Sequence, residues 1–271
     1  MFRSLLKVRW AKSYDPIQQR WDYFQSNPSI IQESIALVES VSEDKLTDVA
    51  FLERELIPSL GLNNENLWEQ PAELSNFFGK GLHIFQYPHQ FARYLAWLAK
   101  HGKDSKTYVE IGSRWGGTFI LTCEWLRRIG APLETAIAID PIGETPLISF
   151  YGDHLSRWSI NYQFIKDVST SHTLRNVFEE LRPDFVLIDG DHSMQGALLD
   201  HMLARTSAEI IVHHDIASDA CPDTTTLWHA LKELESATFA AYEFTDQYPS
   251  VAGSFLGIGV LKRKVFDAKK H

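Results

Sequence analysis

Two cysteines, Cys123 and Cys221, are all the thiols in the chain, and they stand 98 residues apart. A disulfide scaffold and a zinc site built from cysteines are excluded, and a reducing, cytoplasmic setting is expected. Long apolar runs are missing too. The longest, Phe255 to Leu261, has seven residues including two glycines, against the ~18 that a membrane helix needs, so no membrane partner is expected. Positive charge is in deficit: 26 Lys and Arg face 35 Asp and Glu, giving −9. That disfavours general nucleic-acid binding, which calls for a basic face. There is no internal repeat and no low-complexity stretch.

What remains is globular in character, with 44% hydrophobic and 23% charged residues, which excludes a disordered or collagen-like chain. Its 271 residues suit one large domain with a smaller appendage. Residues 1–12 hold Arg3, Lys7, Arg9 and Lys12 with no acid before Asp15. A basic tail and an organelle presequence share that pattern; lacking a continuous apolar core, it is not a secretory signal.

The chain changes character near residue 105. Residues 1–104 read as an N-terminal helical region. Asp15 is placed to cap a helix opening at Pro16, with Ile17, Trp21 and Phe24 on one face. Ser29 and Gln32 have capping-box spacing before Ile35 and Val38. Thr47 is the expected cap of a helix ending near Pro58 to Gly61, and Pro88 opens another that Gly102 closes. The exposed faces of four such helices either cover a sheet or form a homo-oligomer interface.

Residues 105–271 alternate strand and helix. Strands are expected at Thr107–Ile111, Ala136–Asp140, Tyr162–Ile165, Phe185–Asp189, Glu209–His213, Phe239–Phe244 and Phe255–Lys262. Helices are expected at about 116–129, 173–181, 194–206 and 224–235, the last capped by Thr225. Such alternation makes an α/β fold, with a mostly parallel sheet between two helical layers and a closing antiparallel hairpin. Ligands of such sheets bind at the carboxyl ends of the strands.

Four segments carry chemistry at those ends. Glu110 is followed by a glycine turn, Gly112, Ser113, Gly116 and Gly117, and then a helix. The spacing is neither a dinucleotide fingerprint nor a P-loop. An acid before the turn repels a pyrophosphate and suits a cationic amino-acid ligand. Asp140 closes the next strand, where a carboxylate can hold a ribose diol. Asp189-Gly190-Asp191-His192 sets two acids and an imidazole at a strand end, for metal binding or acid–base work, or else for an Asp-rich helix-capping turn. His213-His214-Asp215 follows at the fifth strand, with His214 or Asp215 able to reach Asp189. Trp115, Tyr151, Trp158 and His213 are candidate pocket walls. Cys221 has no base partner visible in the sequence.

Over roughly residues 80–262 the chain resembles the class I S-adenosylmethionine-dependent methyltransferases. More narrowly, it resembles the metal-dependent macrocin and mycinamicin O-methyltransferases and cephalosporin hydroxylase-type proteins, a methyltransferase family 24-like group. The residues carrying the resemblance are Gln86-Tyr87-Pro88, Glu110-Ile111-Gly112 with Gly116-Gly117, Ile139-Asp140, Ile188-Asp189-Gly190-Asp191-His192 and His214-Asp215-Ile216. It implies a Rossmann-like, doubly wound, seven-stranded sheet. It also implies S-adenosylmethionine as cofactor, bound by Glu110, Gly112, Ser113, Gly116, Gly117, Asp140 and Asp189, with Asp167 and Val168 near the adenine. It implies Mg²⁺ or another divalent cation on Asp189, His214 and Asp215, with His192 as general base beside Asp189. His214 stands where relatives place an acid, which makes the metal's identity an open choice. The implied acceptor is a hydroxyl of a small molecule or sugar. The alternatives are a metal-independent methyltransferase and a non-catalytic cofactor-binding partner. A nicotinamide oxidoreductase is disfavoured by the glycine spacing.

Overall fold

The computed structural model describes residues 16–65, 71–168 and 172–265. The expected cap Asp15 and the basic residues 3–12 lie outside them. Seven strands form one sheet: β1 (Thr107–Ile111), β2 (Thr135–Ile139), β3 (Asn161–Ile165), β4 (Phe185–Ile188), β5 (Ile210–His214), β6 (Phe239–Phe244) and β7 (Ile258–Arg263). Their order is β3-β2-β1-β4-β5-β7-β6. β1 to β5 run parallel, while β7 is antiparallel to both β5 and β6. This is the expected doubly wound, Rossmann-like α/β sheet with an antiparallel terminal pair.

Sequence composition explains the order. The inner strands β2, β4 and β5 are almost wholly apolar and buried, as strands covered on both faces must be. The edge strands β3 and β6 alternate half-buried and exposed positions. On one face Tyr108, Phe119, Ala138 and Leu187 share a core with Phe24, Ile35 and Leu95 from the N-terminal helices. On the other, Val109, Ile137, Val186 and Ile211 pack with Phe178, Ala204 and Trp228. Period-two alternation therefore decides which layer each strand residue meets.

The N-terminal helices are α1 (Pro16–Ser26), α2 (Ser29–Glu39), α3 (Val49–Phe51), α4 (Ile57–Leu60) and α5 (Pro88–His101). A π-helical turn, Leu52–Leu56, joins α3 to α4. The remaining helices are α6 (Gly117–Arg128), α7 (Pro146–Arg157), α8 (His172–Leu181), α9 (Met194–Arg205) and α10 (Pro222–Leu234).

Three expected caps differ. Pro28, itself helical and without a side-chain cap, precedes α2, so the Ser29–Gln32 box does not form. Asp48, not Thr47, accepts the Phe51 amide at 3.1 Å. Helix α10 starts at Pro222, whose fixed φ suits a first helical position, with Cys221 before it. Thr225 instead accepts the Ser218 amide at 3.1 Å. Helix α7 is not among the helices expected from the sequence. A Cβ at Gly152 would lie 2.3 Å from the Tyr162 ring, so this glycine makes room for β3 rather than ending the helix.

Helix α5 is fastened to α6 by Trp125, which is fully buried and donates from Nε1 to the Leu95 carbonyl at 2.9 Å. Replacing a buried indole by alanine costs about 3–5 kcal/mol. Trp125→Ala is therefore expected to lower the denaturation midpoint markedly in urea titrations, while Arg157→Ala at the exposed end of α7 leaves it nearly unchanged.

Candidate active site

Crossovers leave the sheet in opposite directions from β1 and β4, so a crevice opens at their carboxyl ends, as doubly wound sheets require. A cavity of about 590 Å³ fills it. Glu110, Gly112, Ser113, Gly116, Gly117, Asp140, Asp167, Val168, Asp189, His192, His214 and Asp215 all line it. The twelve candidate residues, spread over more than a hundred positions, are thus brought together. Of the expected pocket walls only Trp115 lines the cavity. Tyr151 is buried against Glu124 at 2.6 Å, Trp158 packs on His154, and His213 faces the opposite layer, 3.1 Å from His201.

The glycine turn is built for contact with the chain itself. Gly112 has φ +87, and a Cβ there would lie 2.0 Å from the Asp189 carbonyl. The Asp189 amide donates to the Ile111 carbonyl at 2.8 Å, and the Gly112 amide to that of Ile139 at 2.8 Å. A Cβ on Gly117 would lie 2.4 Å from the Leu82 carbonyl. Segment 82–86 therefore lies across the start of α6, and His83, Phe85 and Gln86 enter the cavity wall.

Glu110 is buried on the α5 side of the sheet and accepts a hydrogen bond from the Tyr108 hydroxyl. Burial outweighs that bond and pushes its carboxyl up to about 8. Asp140, just beyond β2, accepts from the amides of Arg114 at 2.6 Å and Ile142 at 2.8 Å. Burial raises its pKa, although those amides favour the anion.

Asp189, just beyond β4, is the centre of a polar cluster. Its Oδ1 lies 3.3 Å from His192 Nε2 and 3.1 Å from His214 Nδ1. Its Oδ2 accepts from Gln86 Nε2 at 3.3 Å, and Thr118 donates to Gln86 in turn. Burial opposes the charge, but His214 and His192 prevail and hold this carboxyl well below the usual range. β5 runs one residue further than expected, so His214 belongs to the strand. It also lies 3.6 Å from Asp215 Oδ2. Against desolvation, Asp189 and Asp215 hold the His214 imidazole well above its ordinary pKa. Asp215 takes a left-handed backbone, φ +57, and its Oδ2 is 3.4 Å from both His192 Nε2 and Cys221 Sγ. His192, 42% exposed at its side chain, has a raised pKa, first through its hydrogen bond to Asp189. Asp191 is part of the capping turn, accepting the Ser193 amide at 2.9 Å.

The sequence reading missed four residues at the site. Gln86, from the Gln86-Tyr87-Pro88 segment, and Thr118, which follows the glycines, are two of them. His83 has φ +57 and is buried, with Nε2 3.7 Å from Glu65 and Nδ1 without a hydrogen-bond partner. Cys221 does meet an imidazole: its Sγ is 3.5 Å from His192 Nδ1. Only tertiary structure brings residues 29 positions apart into that contact.

Donor atoms of Asp189, His214 and Asp215 all lie within 4.8 Å of one another. Asp215 Oδ1 and His214 Nε2 are buried without hydrogen-bond partners. Two carboxylates and an imidazole fit a divalent cation once His214 gives up the proton that Asp189 and Asp215 favour. The cavity, the glycine bend and Asp140 likewise fit a nucleoside bearing an amino-acid end, with Glu110 next to the cationic part.

No protein-family model matches this chain, and no curated protein matches it. Solved structures with some likeness include an O-methyltransferase of Streptomyces achromogenes involved in tomaymycin synthesis, in complex with S-adenosylmethionine. The match has 14% identity over 91% of this chain and 99% of that one, with a TM-score of 0.42. An O-methyltransferase of Bacillus cereus in complex with S-adenosylhomocysteine matches at 13% identity over 91% and 100%, TM-score 0.42. An rRNA methylase of Streptococcus thermophilus matches at 15% identity over 62% and 93%, TM-score 0.41. At these scores the likenesses carry no functional argument. Among the described residues no helix is long and apolar enough to cross a membrane.

Glu110 generates a stability prediction. Its folded pKa, about 8, stands above the ordinary 4.5. Between those values the native state holds a proton that the unfolded chain releases, so this group's contribution falls as pH rises. Melting temperatures of the wild type are expected to decline between pH 5 and 8. Glu110→Gln, which keeps an acceptor for Tyr108, is expected to show a shallower decline.

Proposed function

We propose that the protein is an S-adenosylmethionine-dependent methyltransferase acting on a hydroxyl of a small molecule or glycoside. The observation that carries this reading is the single crevice holding Glu110, the glycine bend, Asp140 and the Asp189–His192 pair. When bound, the cofactor supplies an electrophilic methyl on a sulfonium, whose departure leaves a neutral thioether. Asp140 would accept from the ribose hydroxyls, and Asp167 and Val168 would flank the base. Glu110 ionises against the ligand's ammonium. Residues 105–271 are read as the cofactor-binding sheet and 1–104 as the helical cover that contributes the His83–Gln86 wall.

A hydroxyl is a poor nucleophile at neutral pH, so its proton must leave as it attacks. Asp189 accepts Nε2–H of His192, which fixes the tautomer and leaves the Nδ1 lone pair for that proton. The proton passes from the acceptor oxygen to Nδ1, and the ring, partly exposed, returns it to solvent. Asp189, His214 and Asp215 are the residues that would hold a divalent cation. Such an ion supplies Lewis acidity toward the acceptor oxygen. The metal-independent alternative has its own support: His214 Nδ1 already faces both Asp189 and Asp215, so an imidazolium there balances their charge. An acceptor without phosphates is favoured, because the cavity wall is rich in carboxylates and the chain carries −9.

Calorimetry with S-adenosylhomocysteine, with and without Mg²⁺, tests the cofactor reading. Binding is expected, and tightening from pH 7 to 9 that disappears in Glu110→Gln identifies Glu110 as the ammonium partner. Absence of binding under every condition overturns the proposal. With an acceptor found by screening small hydroxyl compounds, His192→Ala is expected to lower kcat by about 10²–10⁴ while still binding S-adenosylhomocysteine. Wild-type kcat should rise with pH through a midpoint above 6.5, the direction in which Asp189 moves the imidazole. Unchanged kcat in His192→Ala removes His192 as the base. Loss of activity on chelation, restored by Mg²⁺ or Mn²⁺, separates the metal-assisted from the metal-independent route.

A further inference from the structure

A second set of donors overlaps the first. His192, Asp215 and Cys221 each offer one ligand atom, and these atoms lie within 4.8 Å of one another. Cys221 Sγ is 3.5 Å from His192 Nδ1 and 3.4 Å from Asp215 Oδ2. Zinc bonds of about 2.0–2.3 Å to nitrogen, oxygen and sulfur put tetrahedral donors about 3.3–3.7 Å apart; both spacings to Sγ match, and the His192–Asp215 pair lies within 4.8 Å. Two further observations point to a ligand. Asp215, 5% exposed at its side chain, leaves Oδ1 without a hydrogen-bond partner. Asp189 Oδ1 stands 3.3 Å from His192 Nε2, on the other side of the ring, where metal-bound histidines keep an orienting carboxylate.

We propose that His192 Nδ1, Asp215 and Cys221 Sγ form a site for a thiophilic divalent cation of the Zn²⁺ or Co²⁺ type. One thiol and one imidazole beside a single carboxylate select such an ion over Mg²⁺, which demands oxygen ligands. On binding, the Cys221 S–H bond breaks, its proton goes to solvent and the sulfur bonds to the ion without change of oxidation state. The exposed side of His192 leaves the fourth position open to water. An ion there takes the same Nδ1 lone pair that proton abstraction uses and withdraws Asp215 from the neighbouring donor set. Zn²⁺ is thereby an inhibitor of the site. Only that consequence rests on the methyltransferase reading; the cation site stands without it.

The test titrates Co²⁺ into chelator-treated full-length protein and reads the visible and near-ultraviolet spectrum. The expected result is one equivalent bound, with intense d–d bands of a four-coordinate ion and a thiolate-to-metal charge-transfer band. Cys221→Ser should lose that band and bind Co²⁺ at least tenfold more weakly, and Zn²⁺ should displace Co²⁺ from the wild type. A wild-type spectrum without the thiolate band, or equal affinity in Cys221→Ser, overturns the proposal. S-adenosylhomocysteine calorimetry on the same samples keeps the two readings apart. A thiolate band without cofactor binding sinks the methyltransferase and leaves the metal site. Cofactor binding without the band does the reverse. Since the wild-type spectrum alone can refute the site, a poorly folding variant does not shield it.

Discussion

The candidate site depends on how closely the carboxyl ends of β1 and β4 approach. The Asp189 carbonyl occupies the space where residue 112 would carry a Cβ, so only glycine allows the two strands to end side by side. Every L residue would also resist the positive φ there. That one contact fixes the crevice. It sets Glu110 at the end of β1 beside Asp189 beyond β4, and the Gly112 amide bond to Ile139 brings the end of β2, with Asp140, into the same rim. The close packing of Leu82 on Gly117 acts on the other wall in the same way, carrying Gln86 to within hydrogen-bond reach of Asp189.

Given that crevice, the polar cluster is an exercise in charge compensation. Two carboxylates this buried are costly unless each is paired and hydrogen-bonded. Asp189 meets two imidazoles and an amide; Asp215 meets the same two imidazoles and a thiol. Asp215 holds its position at the expense of a left-handed backbone, for which a non-glycine residue gives up about 1–3 kcal/mol. The Thr224 hydroxyl, donating to the Asp215 carbonyl at 2.8 Å, helps secure that turn to α10. Strain and burial are thus concentrated on one residue, whose Oδ1 makes no hydrogen bond.

Much of this was legible in the sequence, for physical reasons that can be named. Buried parallel strands must be short apolar runs, so β1 and β6 were read to the residue and the other strand boundaries to within three positions. The polar residues that interrupt such runs at their carboxyl ends fall at the crevice by topology alone. That is why Glu110, Asp140, Asp189 and Asp215 were identifiable before any contact was known. Contacts between distant segments were not legible. Nothing local announces that Cys221 meets His192, that His83 is folded under the start of α6, or that Gly152 makes room for Tyr162. His213 and His214 show the limit most simply. They are adjacent in sequence, and the position of the strand end, one residue beyond expectation, does not change which faces the site. The pleat does, sending His214 to Asp189 and His213 to His201 in the opposite layer.

The two acids at the head of the crevice are driven in opposite directions by their surroundings. At Glu110 burial outweighs the hydrogen bond from a single neutral hydroxyl and favours the protonated acid at pH 7. Asp189 has two imidazoles, which favour the anion. Environments that separate the pKa values of neighbouring acids assign them different work. A cationic ligand group gains most beside a carboxyl that no other cation already neutralises, although it must displace that carboxyl's proton below about pH 8. That carboxyl is Glu110. Asp189, already ionised and already committed to the two rings, has little left to offer a cationic ligand but much to offer the imidazole whose tautomer it holds. On the proposed reading, electrostatics therefore gives the two neighbouring acids different partners, the cofactor's ammonium for Glu110 and the base imidazole for Asp189, before any shape complementarity is considered.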